Sequence, residues 1–327
     1  MTTDTSLKII EFIKSKGQSS AKDLVDYLGM SRQAVFKQLG TLLRKNQITK
    51  IGHAPHVFYS LKEQAIPQGE ANTNLDYETA KNIEENFLII TPAGERKEGT
   101  KGFAYWCEKT RQPFEKTAKE YVKTINKYGA FKKNGYIDGM AKLKTTFDHV
   151  YLDHLYYLDF YSIERFGKTK LGIMLLYAKQ SQNKALIKEL IDDIEPRIKI
   201  IAKNHNIDAI GFIPPTVKRE VQFMKELARR TRLNLQKINL VKVKTEVAIP
   251  QKTLSKLEDR VENAQKTIIV DDHGKYKNIL LVDDAVGSGA TLNETAKQIR
   301  TRGICSGKII GLAVTGSFKG FDVISEV

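Results

Sequence analysis

Apolar residues recur at helical spacing in three successive segments at the start of this 327-residue chain. Ile9, Ile10 and Ile13 form a stripe on a helix from about Leu7 to Lys16, which Gly17 stops. Ser20, with Asp23 three residues on, is placed to cap a second helix. Its Leu24, Val25 and Leu28 face inward, and Gly29 ends it. Ser31 caps a third helix to about Lys45 through Val35, Leu39, Leu42 and Leu43. Two strands, Ile48–Ile51 and Val57–Leu61, follow around a Gly-His-Ala-Pro-His turn. His53 and His56 in that turn are ordinary turn histidines or, less simply, a metal pair.

The pattern then lapses. Residues 63–75 are polar, with Pro67 and Gly69, and read as a linker after a first domain of residues 1–62. Residues 76–150 predict a strand at Phe87–Ile90, a Thr91-Pro-Ala-Gly turn and an amphipathic helix over Phe114–Tyr128. Trp106 beside Cys107 suits core packing at least as well as a ligand site, and this segment has no functional reading. From Tyr151 the pattern alternates. Strands are expected at Leu155–Tyr161, Leu171–Tyr177, Ala209–Ile213, Leu235–Val241, Ile279–Val282 and Ile309–Val314. Helices are expected at Lys184–His205 (kinked or split at Pro196), Val217–Thr231 and Thr291–Arg302. That alternation predicts an α/β domain over 151–327, a mostly parallel sheet covered on both faces.

Composition narrows the classes. Hydrophobic residues make up 41%, enough for real cores. No apolar run approaches the roughly 20 residues that span a bilayer, so no membrane partner is expected. Met1–Ser6 lacks a secretory hydrophobic region, and Cys107 and Cys305 form no metal or disulfide framework. A cytoplasmic location follows as the expectation. The net charge of +15 suits polyanionic partners, but a Lys-rich surface alone would also produce it. Charge informs only where a motif can use it.

The sharpest motif is Ile-Leu-Leu-Val-Asp-Asp-Ala-Val-Gly-Ser-Gly-Ala-Thr-Leu at 279–292. Four apolar residues make a buried parallel strand, and two carboxylates stand at its C-terminal end, where open α/β sheets bind ligands. A loop with two glycines and two hydroxyls leads into a helix. Its converging N–H groups and the helix dipole suit a phosphate monoester. The adjacent carboxylates suit sugar hydroxyls or a hydrated Mg²⁺ instead.

This stretch resembles the phosphoribosyl pyrophosphate (PRPP) signature of type I phosphoribosyltransferases, on the fold of that family. The resemblance implies that Asp283 and Asp284 are the catalytic pair, holding the ribose hydroxyls and, indirectly, Mg²⁺. It implies that Ala285, Val286, Gly287, Ser288, Gly289, Ala290 and Thr291 wrap the 5′-phosphate. Gly287 stands where the family often has its first threonine, which removes one hydroxyl. Upstream, Asp208-Ala-Ile-Gly-Phe-Ile-Pro-Pro, Arg219 and a stretch with Lys244, Thr245, Gln251, Leu254, Arg260 and Asn263 resemble the ComF, competence-associated, branch. That resemblance assigns Pro214, Pro215, Lys218 and Arg219 to a pyrophosphate loop. It assigns Lys244, Thr245, Gln251, Arg260 and Asn263 to a flexible loop that closes over the reacting centre. An exposed Lys-rich loop without catalytic role is the plainer reading of the latter. ComF proteins commonly begin with a cysteine zinc module, and this chain lacks those cysteines.

The N-terminal order of elements resembles the winged helix-turn-helix family of DNA-binding domains. It is carried by Ser-Ala-Lys-Asp-Leu-Val-Asp-Tyr-Leu-Gly-Met-Ser-Arg-Gln-Ala-Val-Phe-Lys-Gln-Leu and the following Gln-Ile-Thr-Lys-Ile-Gly and Phe-Tyr-Ser-Leu. In that family the third helix enters the major groove and the wing touches the backbone. Ser31, Arg32, Gln33 and Lys37 would then meet bases or phosphates, and Arg44, Lys45, Lys50 and His53 mainly phosphates. The same fold serving protein contacts or dimerisation is the alternative.

Three functions follow from the joined resemblances. The first is a DNA-tethered transferase that displaces pyrophosphate from PRPP with an acceptor base or other nucleophile. The second is a transcriptional regulator whose domain only senses PRPP or a nucleotide, as in the purine-repressor architecture. The third is a competence factor in DNA uptake. Oligomeric state is not readable from this sequence; the resemblance allows a homodimer, since proteins of both families are often symmetric dimers.

Overall fold

The computed structural model describes residues 2–52, 57–62, 75–217, 219–243, 249 and 253–317. The chain forms two compact units, Met1–Thr73 and Asn74–Val327. The first contains α1 (Thr2–Lys16), β1 (Gln18–Ser20), α2 (Ala21–Leu28), α3 (Arg32–Arg44), β2 (Ile48–Ile51) and β3 (Phe58–Leu61). Ser20 and Asp23 form a reciprocal capping box at the start of α2, and Gly29 ends it in the left-handed region, at φ 61°. The strands make an antiparallel sheet in the order β1-β3-β2. Ile9, Ile13, Leu24, Val35, Leu39 and Leu42, from the helical stripes, form one core with Ile48 and Tyr59 of the strands, and Ile10, Val25, Leu28 and Leu43 pack partly buried against it.

The second unit begins with α4 (Tyr77–Asn86), β4 (Leu88–Ile90), β5 (Arg96–Glu98), α5 (Gly99–Lys109), α6 (Phe114–Gly129), β6 (Lys132–Lys133), β7 (Tyr136–Asp138) and α7 (Met140–Thr146). It continues through β8 (His154–Phe160), β9 (Ser162–Ile163), β10 (Gly167–Lys168), α8 (Lys170–Ser181), α9 (Lys184–Asn204), β11 (Ala209–Phe212) and α10 (Phe223–Arg230). It closes with β12 (Gln236–Lys237), β13 (Leu240–Lys242), α11 (Leu257–Thr267), β14 (Ile268–Val270), β15 (Ile279–Val286), α12 (Ala290–Thr301) and β16 (Ile309–Gly316).

A seven-stranded sheet in the order β12-β11-β15-β16-β8-β7-β6 is its centre. The first five strands are parallel and the last two antiparallel. Two-residue strands, β12 and β6, form its edges. Side-chain alternation divides the core. Ile279, Leu281, Ile309 and Ala313 pack with α5, α6 and α12, while Leu280, Val282, Ile310, Leu312 and Val314 pack with α8 and α9. Residues 76–150 belong to this unit: Phe87, Phe103, Tyr121 and Ile137 join the same core as β15 and β16. Trp106 stacks on Phe103 there, and burial pushes the Cys107 thiol up to about 11, so the pair packs rather than reacts.

Four expectations change. Leu171–Tyr177 is not a strand but the middle of α8, with Leu171, Ile173, Met174, Leu175, Leu176 and Ala178 buried. A continuous apolar run fits a helix enclosed on most sides as well as a buried strand. α9 passes through Pro196 unsplit, because the burial of Ile191, Ile194, Ile198 and Ile201 outweighs the missing N–H bond. α10 begins only at Phe223. Leu235–Val241 divides into β12, in the central sheet, and β13, which pairs with β14 in a separate ribbon.

Candidate functional site

β15 lies between β11 and β16, so the central parallel strands deliver their C-terminal ends to one place. Asp283 and Asp284 stand near the end of β15, and the chain then turns through Gly287–Gly289 into α12. Gly289 caps that helix at φ 88°, and a Cβ there would lie 2.5 Å from Leu143 Cδ1. Only glycine fits both the backbone angle and the space. The Ser288 hydroxyl accepts from the Ala290 N–H at 3.3 Å, within the first turn of α12. On the neighbouring strand the Ile213 N–H donates to the Val282 carbonyl at 2.8 Å. Pro214 and Pro215 then end the ladder, since neither carries an N–H.

The two strand ends border a cleft of about 170 Å³. Asp283, Asp284, Ala285, Gly287 and Thr291 line one side; Pro214, Pro215 and Arg219 line another. Arg260, buried on α11, reaches the same cleft, and its Nε donates to the Leu254 carbonyl at 2.8 Å. Burial lowers the pKa of that guanidinium. α11 and β14 are held against α12 by Gln265 Nε2 donating to Glu294 Oε2 at 2.9 Å and Gln298 Nε2 donating to the Ile268 carbonyl at 2.7 Å. Those bonds fix the position from which Arg260 faces the loop.

Sequence reasoning missed one charged residue here. Lys179, near the end of α8, lines the cleft and places Nζ 2.6 Å from Asp284 Oδ2. The two side chains are only 12% and 19% exposed, so solvent screens the pair weakly. Beside it, the Asp283 Oδ1 accepts from the Asp284 N–H at 2.8 Å. Burial first, and the Asp284 charge second, raise the pKa of Asp283 well above the usual carboxylate range; that bond and Lys179 oppose the shift. The dyad is therefore asymmetric. Asp284 is ion-paired with Lys179, whereas burial beside that carboxylate raises the pKa of Asp283.

Val286, Ser288, Gly289 and Ala290 are buried and shape the loop from behind rather than line the cleft. Asn263 lies outside the lining and donates through Nδ2 to the Ile249 carbonyl at 3.5 Å. Lys218, Lys244, Thr245 and Gln251 lie outside the described residues, as does His53. In the first unit Ser31 caps α3, accepting from the Ala34 N–H at 3.3 Å. Arg32, Gln33, Lys37, Arg44, Lys45 and Lys50 are exposed. Arg32 lies over the Phe36 ring at 5.6 Å, and Arg44 curls back to the Gly40 carbonyl at 3.3 Å.

Among the described residues no three His, Cys, Asp or Glu side chains converge as a metal site, and no helix is long and apolar enough to cross a membrane. Fold and site together define a mixed α/β protein with an acidic pair and a glycine-hinged helix N-terminus at the C-terminal edge of a largely parallel sheet. No family model and no curated protein matches the chain. Among solved structures it is similar to a hypoxanthine phosphoribosyltransferase from Staphylococcus aureus. That likeness has 14% identity and a TM-score of 0.23, and covers 40% of this chain and 78% of that one. An overlap so loose carries no weight for fold or function, which rest on the chain's own geometry.

Proposed function

We propose that the second unit binds PRPP and transfers its phosphoribosyl group, with release of pyrophosphate. The observation that carries this reading is the convergence of Asp283, Asp284, Gly287 and Thr291 with Arg219 and Arg260 in one cleft. The loop's N–H groups and the start of α12 suit the 5′-phosphate. The carboxylates suit the ribose hydroxyls, and the two arginines suit the leaving pyrophosphate. The ComF-like reading of the loop at 214–219 and of the segment at 244–263 belongs to this proposal.

Mg²⁺ fits the donor set, because that ion takes one or two carboxylates and completes its shell from water and substrate phosphates. When bound, it would neutralise charge on the departing pyrophosphate. The chain's own groups do the rest. Lys179 orients Asp284, Asp283 offers a protonated or ionised carboxyl to a ribose hydroxyl, and Arg260 supplies fixed positive charge in a partly water-excluded site. The acceptor is a base or nucleotide nitrogen, or another nucleophile, attacking the anomeric carbon as pyrophosphate leaves.

Calorimetry with Mg²⁺ is expected to show PRPP binding with a Kd on the order of micromolar, a metabolite-site range. Incubation with PRPP and a panel of bases should release pyrophosphate, and Asp283→Asn should abolish that turnover. Absence of PRPP binding, identical in Asp284→Asn, would overturn the site.

The first unit is proposed as a winged helix that reads DNA, on the observation that α3 presents Arg32, Gln33 and Lys37 to solvent while Val35 and Leu39 are buried. Arg32→Ala and Lys37→Ala should each weaken DNA binding and reduce its logarithmic salt slope by about 1. Unchanged affinity in filter-binding or mobility-shift titrations would assign the unit to another partner. With a DNA reader attached, a regulator that senses PRPP is the second reading. PRPP binding without turnover, together with PRPP-dependent DNA retardation, would select it.

A further inference from the structure

Lys179 has no counterpart in the chemistry expected of the loop. It comes from α8, whose residues Leu171 to Leu176 are all buried, and only near the end of that helix does a charge enter the cleft. Its Nζ stands 2.6 Å from Asp284 Oδ2 in a partly desolvated setting. A divalent cation approaching the acidic pair must displace this ammonium, or lie beside it and suffer its repulsion. Two carboxylates, one already neutralised, are too few to hold Mg²⁺ against its hydration shell.

We infer that Lys179 is a built-in counter-ion that keeps free divalent cations off the Asp283–Asp284 pair, so that the metal enters only with the pyrophosphate of its substrate. Lys179 is thus a positioning residue, acting through Asp284. The second half of the inference rests on the proposed PRPP reading; the first half does not. The ion pair supplies a charge balance within the cleft, and a metal–pyrophosphate complex brings the extra oxygen ligands that the protein lacks.

The test uses the full-length protein and Mn²⁺ alone, followed by electron paramagnetic resonance and calorimetry. The wild type should bind no Mn²⁺ at the pair. Lys179→Met should gain one site, at least about tenfold tighter than any wild-type uptake, given the strength of a neighbouring like charge at this depth. Adding Asp283→Asn to Lys179→Met should abolish the gain, and Lys179→Arg should behave as the wild type. Thermal melts establish that each variant is folded, and Lys179→Gln provides the same reading if the methionine variant is not. A wild-type Mn²⁺ site that Asp283→Asn removes would overturn the inference. So would folded Lys179 variants that gain no Mn²⁺. If Mn²⁺ behaves as expected but PRPP with Mg²⁺ binds neither wild type nor variant, the counter-ion role stands and the transferase reading fails.

Discussion

Asp283→Asn should make the protein harder to unfold at pH 8, and Asp284→Asn should make it easier, although the two residues are neighbours of the same type. The difference lies in their partners. Asp283 is held above its unfolded pKa by burial and by the Asp284 charge. Below the unfolded value, near 3.9, both states carry the proton and the folded form bears no penalty. As pH rises through that value the unfolded state ionises more readily than the folded one, and stability falls until the folded group also ionises. The amide avoids this cost. Its expected gain at pH 8 is about 1–2 kcal/mol, a rise in Tm of roughly 2–8 °C, and it should vanish as the pH approaches 4. Asp284→Asn instead leaves the Lys179 ammonium without its carboxylate. Because the pair is partly rather than fully buried, the loss should be about 1–3 kcal/mol, below that for a wholly buried ion. Melts of both variants at pH 4 and pH 8 decide the matter. Equal shifts of the same sign would refute the asymmetry of the dyad.

The second large effect concerns Gly289. Gly289→Ala forces a side chain into φ 88° and sets its Cβ 2.5 Å from Leu143 Cδ1, where Leu143 is itself fully buried. The expected cost is about 2–4 kcal/mol from backbone strain and overpacking together. Affinity for a phosphate monoester should fall at least about tenfold, because the converging N–H groups depend on that turn. Pairing the change with Leu143→Ala separates the two causes. The double variant should recover the steric part and retain the backbone part, giving a favourable coupling in a double-mutant cycle. Strict additivity would show that the clash is relieved elsewhere.

Much of the site was legible from residue order. Ile279–Val282 announces a strand, although β15 runs on through the two aspartates to Val286, and the glycines and hydroxyls behind it announce the turn into α12. Pro214 and Pro215 likewise mark where β11 must stop. Lys179 was not legible, because its apolar neighbours Leu171–Tyr177 read as a strand. Only the helical assignment, fixed by packing on both sides, brings the lysine over β15. Arg260 was legible as a candidate but not as a buried wall of the cleft. Its burial depends on Gln265 and Gln298 reaching α12 and β14, contacts that no local pattern encodes. Residues 76–150 lacked a reading for a related reason. Their aromatic side chains complete the core around β8, β15 and β16, and the need for them is visible only once those strands are assembled.

The short outer strands have a consequence for how copies of this chain can meet. β12 and β6 are two residues each and carry Lys237 and the Lys132–Lys133 pair, with Lys132 tied to Asp159 at 2.9 Å and Lys237 to the Ala228 carbonyl at 2.8 Å. A neighbouring backbone would find almost no open ladder at either rim, and a fringe of positive charge beside it. The broad central sheet is thereby kept from growing across molecules by edge-to-edge pairing.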